Sequence, residues 1–123
     1  TIGSDHAPHL LEEKDNKYGK APSGLPTIQQ SLPVLLTIAK QEDIPLTRIA
    51  SVFSEKASEI YRLDTGKIAK GYAADLVIFD KDKEFTVKAE DQKGKCGWTP
   101  YEGEVLNGMI QAVMVDGNII SPI

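Results

Sequence analysis

A change of grammar near Leu63 constrains this chain more than any other feature. Before it, apolar residues recur at helical spacing: Ile28, Leu32, Leu35, Leu36 and Ala39, then Ile49, Ala50, Val52 and Phe53, then Ala57, Ile60 and Tyr61. After it the spacing drops to two or runs continuously, in Leu76-Val77-Ile78-Phe79, in Phe85-Thr86-Val87, and from Met109 to Val115. A chain written this way is an α/β molecule, with helices first and a small β unit after them. Leu76–Phe79 predicts a buried strand, Phe85–Val87 a second short one, and Met109–Val115 a third. Asp116-Gly117 is a two-residue hairpin signal, with Asn118–Ser121 as the return strand. Gly66 and Gly71 bracket a short segment around Ile68, and residues 91–103 read as loop. There are no internal repeats.

The helix boundaries follow from capping chemistry. Thr27 is placed to cap a helix, with Gln30 three residues on in the capping-box position. Pro33 falls inside that run, which predicts a kink or a late start. Glu42 to Pro45 is a break; Thr47 and Ser54 are the expected caps of two shorter helices.

Ahead of the helices, Thr1–Ser4 reads as the tail of a strand, and Asp5 to Pro26 as an aperiodic loop carrying Pro8, Gly19, Pro22, Gly24 and Pro26. A loop of about 20 residues is longer than a compact domain carries without a functional reason. The opening Thr1-Ile2-Gly3 reads as the middle of something, a piece of a longer protein.

Composition limits the partners. The net charge is −4, from 14 basic and 18 acidic residues, which argues against nucleic acid or an anionic membrane as the main ligand. No apolar run approaches the roughly 20 residues of a membrane helix. Cys96 is the single cysteine, so no internal disulfide and no cysteine-based zinc site can form, and a reducing cytoplasm is the simplest setting.

The chemistry concentrates in Asp5-His6-Ala7-Pro8-His9, which contains both histidines of the chain. A strand that ends in Asp and flows into a long loop fits the carboxyl-terminal edge of a parallel barrel, where such barrels build their sites. There Asp5 could ligate a divalent metal through one oxygen. Its other oxygen could take a proton from the attacking water and pass it to a leaving nitrogen. Pro8 fixes its own φ and biases Ala7 toward extended backbone, holding His9 away from Asp5 but on the same mouth. That suits contact with an anionic or carbonyl group of a substrate. His6 follows Asp5 directly, points to another side, and reads either as a support behind the site or as structural. A turn carboxylate and two ordinary loop histidines are the plainer alternative, and the spacing alone does not separate the two. Ala21-Pro22-Ser23-Gly24 is a tight turn whose free N–H groups could meet a carboxylate or carbonyl, or a plain surface turn. Lys14, Lys17 and Lys20 could attract an anion, with a solvated face as the default. Cys96, beside Gly97-Trp98, reads as buried or inert.

Gly3-Ser4-Asp5-His6-Ala7-Pro8-His9, with Lys14 beyond it, resembles the second signature of the dihydroorotases, within the metal-dependent amidohydrolase superfamily. Ala21-Pro22-Ser23-Gly24 and the helix with Ser31-Leu32-Pro33 are similar to that family's substrate loop and last barrel helix. Gly66-Lys67-Ile68 and Gly71–Ile78 resemble the superfamily's return to its small β-domain, and Lys95–Gly103 the dihydroorotase tail. The resemblance covers essentially the whole chain. It implies the C-terminal end of a (β/α)8 TIM barrel plus part of a small composite β-sandwich domain. Residues 1–62 would supply the last barrel strand, the active-site loop and the C-terminal barrel helices, and residues 63–123 the β-domain strands. It implies interconversion of N-carbamoyl-L-aspartate and L-dihydroorotate in pyrimidine synthesis, with one or two Zn2+ per complete subunit. It also implies a homodimer or aspartate transcarbamoylase as partner. Carried over residue by residue, Asp5 is the catalytic aspartate and a zinc ligand. His9 contacts the substrate carboxylate, and Ser23 and Gly24 contact substrate through backbone.

The family's remaining metal ligands and its substrate-binding Arg and Asn lie upstream of this stretch. The sequence therefore predicts the carboxyl-terminal third of such an enzyme, inactive without the upstream chain. A dihydropyrimidinase or allantoinase is the rival within the class. Those relatives typically lack the second histidine of the string, so His9 speaks against them. A non-catalytic homologue acting as a scaffold, and a stand-alone small β-domain with a helical leader, are the rivals outside it.

Overall fold

The computed structural model describes residues 1–122, the last two as backbone. Among the described residues, four α-helices come first: α1 (Leu11–Lys14), α2 (Ser31–Gln41), α3 (Leu46–Ala50) and α4 (Lys56–Tyr61). Three strands follow: β1 (Leu76–Thr86), β2 (Val105–Val115) and β3 (Asn118–Pro122), in one antiparallel sheet of order β1-β2-β3. The last helical residue, Tyr61, falls where the periodicity changes.

Helix α2 starts late, as Pro33 requires. A 3-10 turn, Ile28–Gln30, precedes it, and the α-helix begins only at Ser31. Pro33 then lies in the first turn, where a missing N–H costs nothing. Thr27 does not cap this helix through its side chain. Its hydroxyl donates instead to the carbonyl of Ser4, at 2.8 Å. Ser54 is no cap either. A π-helical stretch, Ser51–Glu55, carries the chain from α3 straight into α4, and α3 itself follows Pro45 without a side-chain cap bond. Helix α4 ends on Arg62 at φ +56, a left-handed stop, with the Leu63 N–H returning to Ser58 O. Beyond it, Lys67 bonds Glu55 at 3.3 Å and lies 3.6 Å from Glu59. The hydrogen bond to Glu55 pushes the Lys67 ammonium above its ordinary range. The pairs are solvent-exposed, so they orient the segment more than they stabilise it. Ile68 is 91% exposed, and the Gly66–Gly71 segment forms turns and no strand.

The two short strands expected at Leu76–Phe79 and Phe85–Val87 are one strand. Asp80 pairs with Met109 and Glu84 with Asn107, so Lys81-Asp82-Lys83 bulge out opposite Gly108 alone. Val77 and Ile78 are 45% and 47% exposed, so this strand is not buried within the described residues. The β2–β3 hairpin closes at Asp116 (φ +48) and Gly117 (φ +77), both left-handed as a type I′ turn demands. Asp75 and Ala74 tie that turn down through Asp116 N–H and Gly117 N–H.

The core lies where α2 crosses β2. Leu36, Ala39, Leu106 and Val87 are buried there. Gly108 sits at φ +87, and a Cβ on it would fall 2.3 Å from Leu36 Cδ1, so glycine lets helix and strand meet. Thr37, also buried, accepts the Asn107 N–H at 2.9 Å and donates to Pro33 O at 2.8 Å. Thr1–Ser4 does not form a strand. Its described ties are Ile2 N–H to Val52 O and Ser4 O to Thr27; a strand needs partner strands, and residues 1–4 have no ladder among the described residues.

Candidate active-site segment

Asp5 is exposed and sits at φ +46. A non-glycine residue held there stores roughly 1–3 kcal/mol of backbone strain and persists only when its surroundings over-determine it. The surroundings are specific. The Thr27 hydroxyl holds Ser4 on one side. On the other, His6 Nδ1 accepts the N–H groups of Thr27 at 3.1 Å and Ile28 at 3.3 Å. An imidazole accepting at Nδ1 carries its proton on Nε2. His6 thus caps the turn before α2.

The segment next docks on the Ala21–Gly24 turn. Ala7 N–H donates to Leu25 O at 3.0 Å, and His6 and Leu25 form an isolated parallel bridge. Gly24 lies at φ +95, and a Cβ on it would fall 2.4 Å from Ala7 Cβ. Only glycine allows this approach. The Lys14 ammonium bonds Pro22 O at 2.7 Å and Gly24 O at 2.9 Å, stapling α1 to the turn. Lys14 is therefore a structural residue. Ser23 is exposed at the tip.

His9 is half-buried and held by its backbone. Its N–H returns to Ala7 O, and its carbonyl accepts Trp98 Nε1–H at 2.8 Å. Its Nδ1 lies 3.6 Å from Glu13 Oε2, too long for a hydrogen bond. Glu13 is engaged elsewhere, accepting Leu10 N–H at 2.8 Å at the start of α1. Cys96 is half-buried, with Sγ 3.7 Å from Trp98 O.

The structure therefore brings the two candidate stretches, Asp5–His9 and Ser23-Gly24, onto one surface. Three further residues hold them there, with Lys14 as staple, Thr27 as tether and Trp98 as clamp. The sequence did not point to any of them in that capacity. None had a local signal, since each reaches its partner across 8 to 89 residues. Two clefts, of about 400 and 380 Å³, lie to the side, and Asp5, His9, Ser23 and Gly24 line neither. Among the described residues no three His, Cys, Asp or Glu side chains converge as a metal site. Asp5 can contribute one ligand, so the donor set fits a metal only as one corner of a larger site. No helix of the described residues is long and apolar enough to cross a membrane.

Comparison with known proteins gives this geometry its context. The chain is 34% identical over 120 residues to a dihydroorotase of Clostridium acetobutylicum, covering 97% of this chain and 28% of that protein. A dihydroorotase of Pyrococcus abyssi gives 34% over 119 residues, with the same coverage. The chain thus spans about 28% of the length of the curated relatives it matches. Among solved structures, a D-hydantoinase (dihydropyrimidinase) from Thermus sp. superposes with a TM-score of 0.89 at 27% identity, covering 97% of this chain and 27% of its own. An L-hydantoinase from Arthrobacter aurescens superposes at 0.90 and 29%, covering 98% and 28%. The amidohydrolase family signature matches residues 1–120, and the chain belongs to the amidohydrolase family.

Proposed function

We propose that this chain is the carboxyl-terminal part of a dihydroorotase, a zinc hydrolase interconverting N-carbamoyl-L-aspartate and L-dihydroorotate in pyrimidine synthesis. The observation that carries the reading is the Asp5–His9 string docked on the Ser23-Gly24 turn. Likeness to dihydroorotases over nearly the whole chain supports it. In this reading residues 1–62 complete a (β/α)8 barrel at its carboxyl-terminal mouth. The sheet from Leu76 onward forms part of a composite β-sandwich, and the enzyme works in the cytoplasm.

The roles follow from chemistry. Asp5 would hold zinc through one carboxylate oxygen, with the other ligands supplied by the rest of the subunit. Zinc, when bound, acidifies the attacking water and polarises the scissile carbonyl. Asp5 would take a proton from that water as its oxygen adds to the ring carbonyl carbon, and would deliver it to the departing nitrogen as the amide C–N bond breaks. In ring closure the same carboxylate runs the transfer backward. His9 presents its imidazole to the substrate carboxylate. Ser23 and Gly24 offer backbone groups to the same anion, which side-chain identity at Ser23 does not affect.

The test uses the full-length protein. It should open dihydroorotate in preference to hydantoin, dihydrouracil or allantoin. Asp5→Asn should keep the fold and lose several orders of magnitude in kcat, because a proton carrier and a metal ligand are removed together. A preference for one of the other rings would overturn the substrate assignment. A loss under about tenfold would contradict the role of Asp5. The hydantoinase reading has one observation in its favour, the likeness of fold to hydantoinases, and one against it, His9.

A further inference from the structure

We propose that Thr27, acting with His6, is the positioning residue that sets the carboxylate of Asp5. The proposal rests on the reading of Asp5 as zinc ligand and proton carrier. It goes beyond that reading in naming what holds Asp5 in place.

Asp5 has a left-handed backbone, and the residues on both sides of it are tied to one short stretch, Leu25–Ile28. Upstream, Ser4 O accepts the Thr27 hydroxyl at 2.8 Å. Downstream, His6 Nδ1 accepts Thr27 N–H and Ile28 N–H, and Ala7 N–H donates to Leu25 O. Any rotation about the Asp5 backbone that relaxes φ +46 has to break a bond on one side or the other. Thr27 thus contacts both neighbours of Asp5, through its hydroxyl and through its N–H.

Thr27 is itself fixed. Its carbonyl accepts the Ser31 hydroxyl at 2.9 Å, at the first residue of α2. The turn after it is bound to the loop beyond β1. Gln29 bonds Asp91 O and Lys93 N–H, and buried Gln30 bonds Gln92 at 2.9 Å. The tether on Asp5 is therefore anchored to α2 and, through it, to the sheet. Ordinary helix capping does not account for the hydroxyl, because Thr27 makes no side-chain cap bond and spends its hydroxyl on Ser4. Loss of that bond leaves the fold of α2 untouched and frees the Asp5 backbone to relax, which misplaces the carboxylate.

The experiment compares Thr27→Val, which keeps the shape and removes the hydroxyl, with Thr27→Ser, which keeps the hydroxyl, in the full-length zinc-loaded enzyme. Thr27→Val should lower kcat about tenfold to a hundredfold while KM moves less than about twofold, the pattern of a misplaced reacting group. It should also release zinc faster to a chelator. Thr27→Ser should return both readouts to within about twofold of the unmodified enzyme. The proposal is overturned if Thr27→Val matches the unmodified enzyme in kcat and zinc retention. It is equally overturned if Thr27→Ser is as impaired as Thr27→Val while both melt normally, or if the loss lies in KM alone. If Thr27→Val does not fold, Thr27→Ala takes its place with the same criteria. If the unmodified enzyme does not open dihydroorotate, the substrate reading fails by itself, and the comparison is made on the cyclic amide it does open. If it opens none, zinc retention of Thr27→Val against the unmodified protein decides.

Discussion

At the scale of single residues, the segment is assembled by close approach and by backbone strain. Gly24 shows this most directly. Its φ of +95 already disfavours any side chain, and a Cβ would sit 2.4 Å from the Cβ of Ala7. Neither atom is the free end of a flexible chain, so the backbone of one stretch has to move. Gly24→Ala should cost roughly 1–3 kcal/mol of stability. It should also raise KM for the cyclic substrate, because the turn and the Asp5–His9 string separate. Chemical denaturation and steady-state kinetics of the full-length enzyme check both, and unchanged values for the two would refute the argument. The string and the turn are legible in the sequence as separate candidates, because Asp, His, Pro and Gly carry their chemistry with them. Their union is not. It depends on Ala7 N–H reaching Leu25 O, on Lys14 reaching Pro22 O and on Trp98 reaching His9 O, and periodicity does not encode such contacts. Thr27 misleads for the same reason. Its position fits a cap, but the Ser4 carbonyl competes for the hydroxyl and wins.

At the scale of elements, the joint between α2 and β2 carries the segment's foundation. Thr37 is its polar pin, buried and bonded both to Pro33 O and to Asn107 N–H. Thr37→Val keeps the volume but leaves a buried N–H without a partner, which costs about 1–3 kcal/mol. The full-length protein should lose that much stability by denaturant titration, while Thr37→Ser should lose clearly less. A Thr37→Val as stable as the unmodified protein would mean that packing, and not the hydrogen bond, is the pin. The elements themselves are partly readable. The late start of α2 follows from Pro33, and the hairpin from Asp116-Gly117, because each rests on a local backbone rule. The single long β1 is not readable. Lys81-Asp82-Lys83 is polar and looks like a break, yet a bulge opposite Gly108 absorbs it without ending the strand. Ser54 looks like a cap, yet the helix passes through it as a π-helical stretch. A strand at Thr1–Ser4 would need neighbours that a local pattern cannot supply.

At the scale of the whole molecule, surface area is the telling quantity. A compact monomer of 13.4 kDa exposes about 6,500 Å² by the size scaling of folded proteins. This chain exposes 8764 Å². The excess is apolar in part, with Ile119 and Ile120 62% exposed on β3 and Val77 and Ile78 exposed on β1, the two edges of the sheet. Among the described residues the buried apolar set is small: Leu36, Ala39, Ile49, Val87 and Leu106. Such a ratio fits a structure whose apolar faces are covered by other protein, as the proposed function requires. The 123-residue polypeptide by itself should then unfold over a broad range and bind a hydrophobic dye. It should hold less than one equivalent of zinc, since Asp5 alone is a weak site, and it should not open dihydroorotate. Calorimetry, dye fluorescence, metal analysis and a turnover assay on the purified polypeptide measure these four properties. Stoichiometric zinc together with turnover would show that the site is complete within these residues, and the assignment of the other ligands to the rest of the subunit would fall. A sharp cooperative transition without zinc or turnover would leave that assignment standing. It would show instead that the α2–β2 core suffices to fold the exposed sheet.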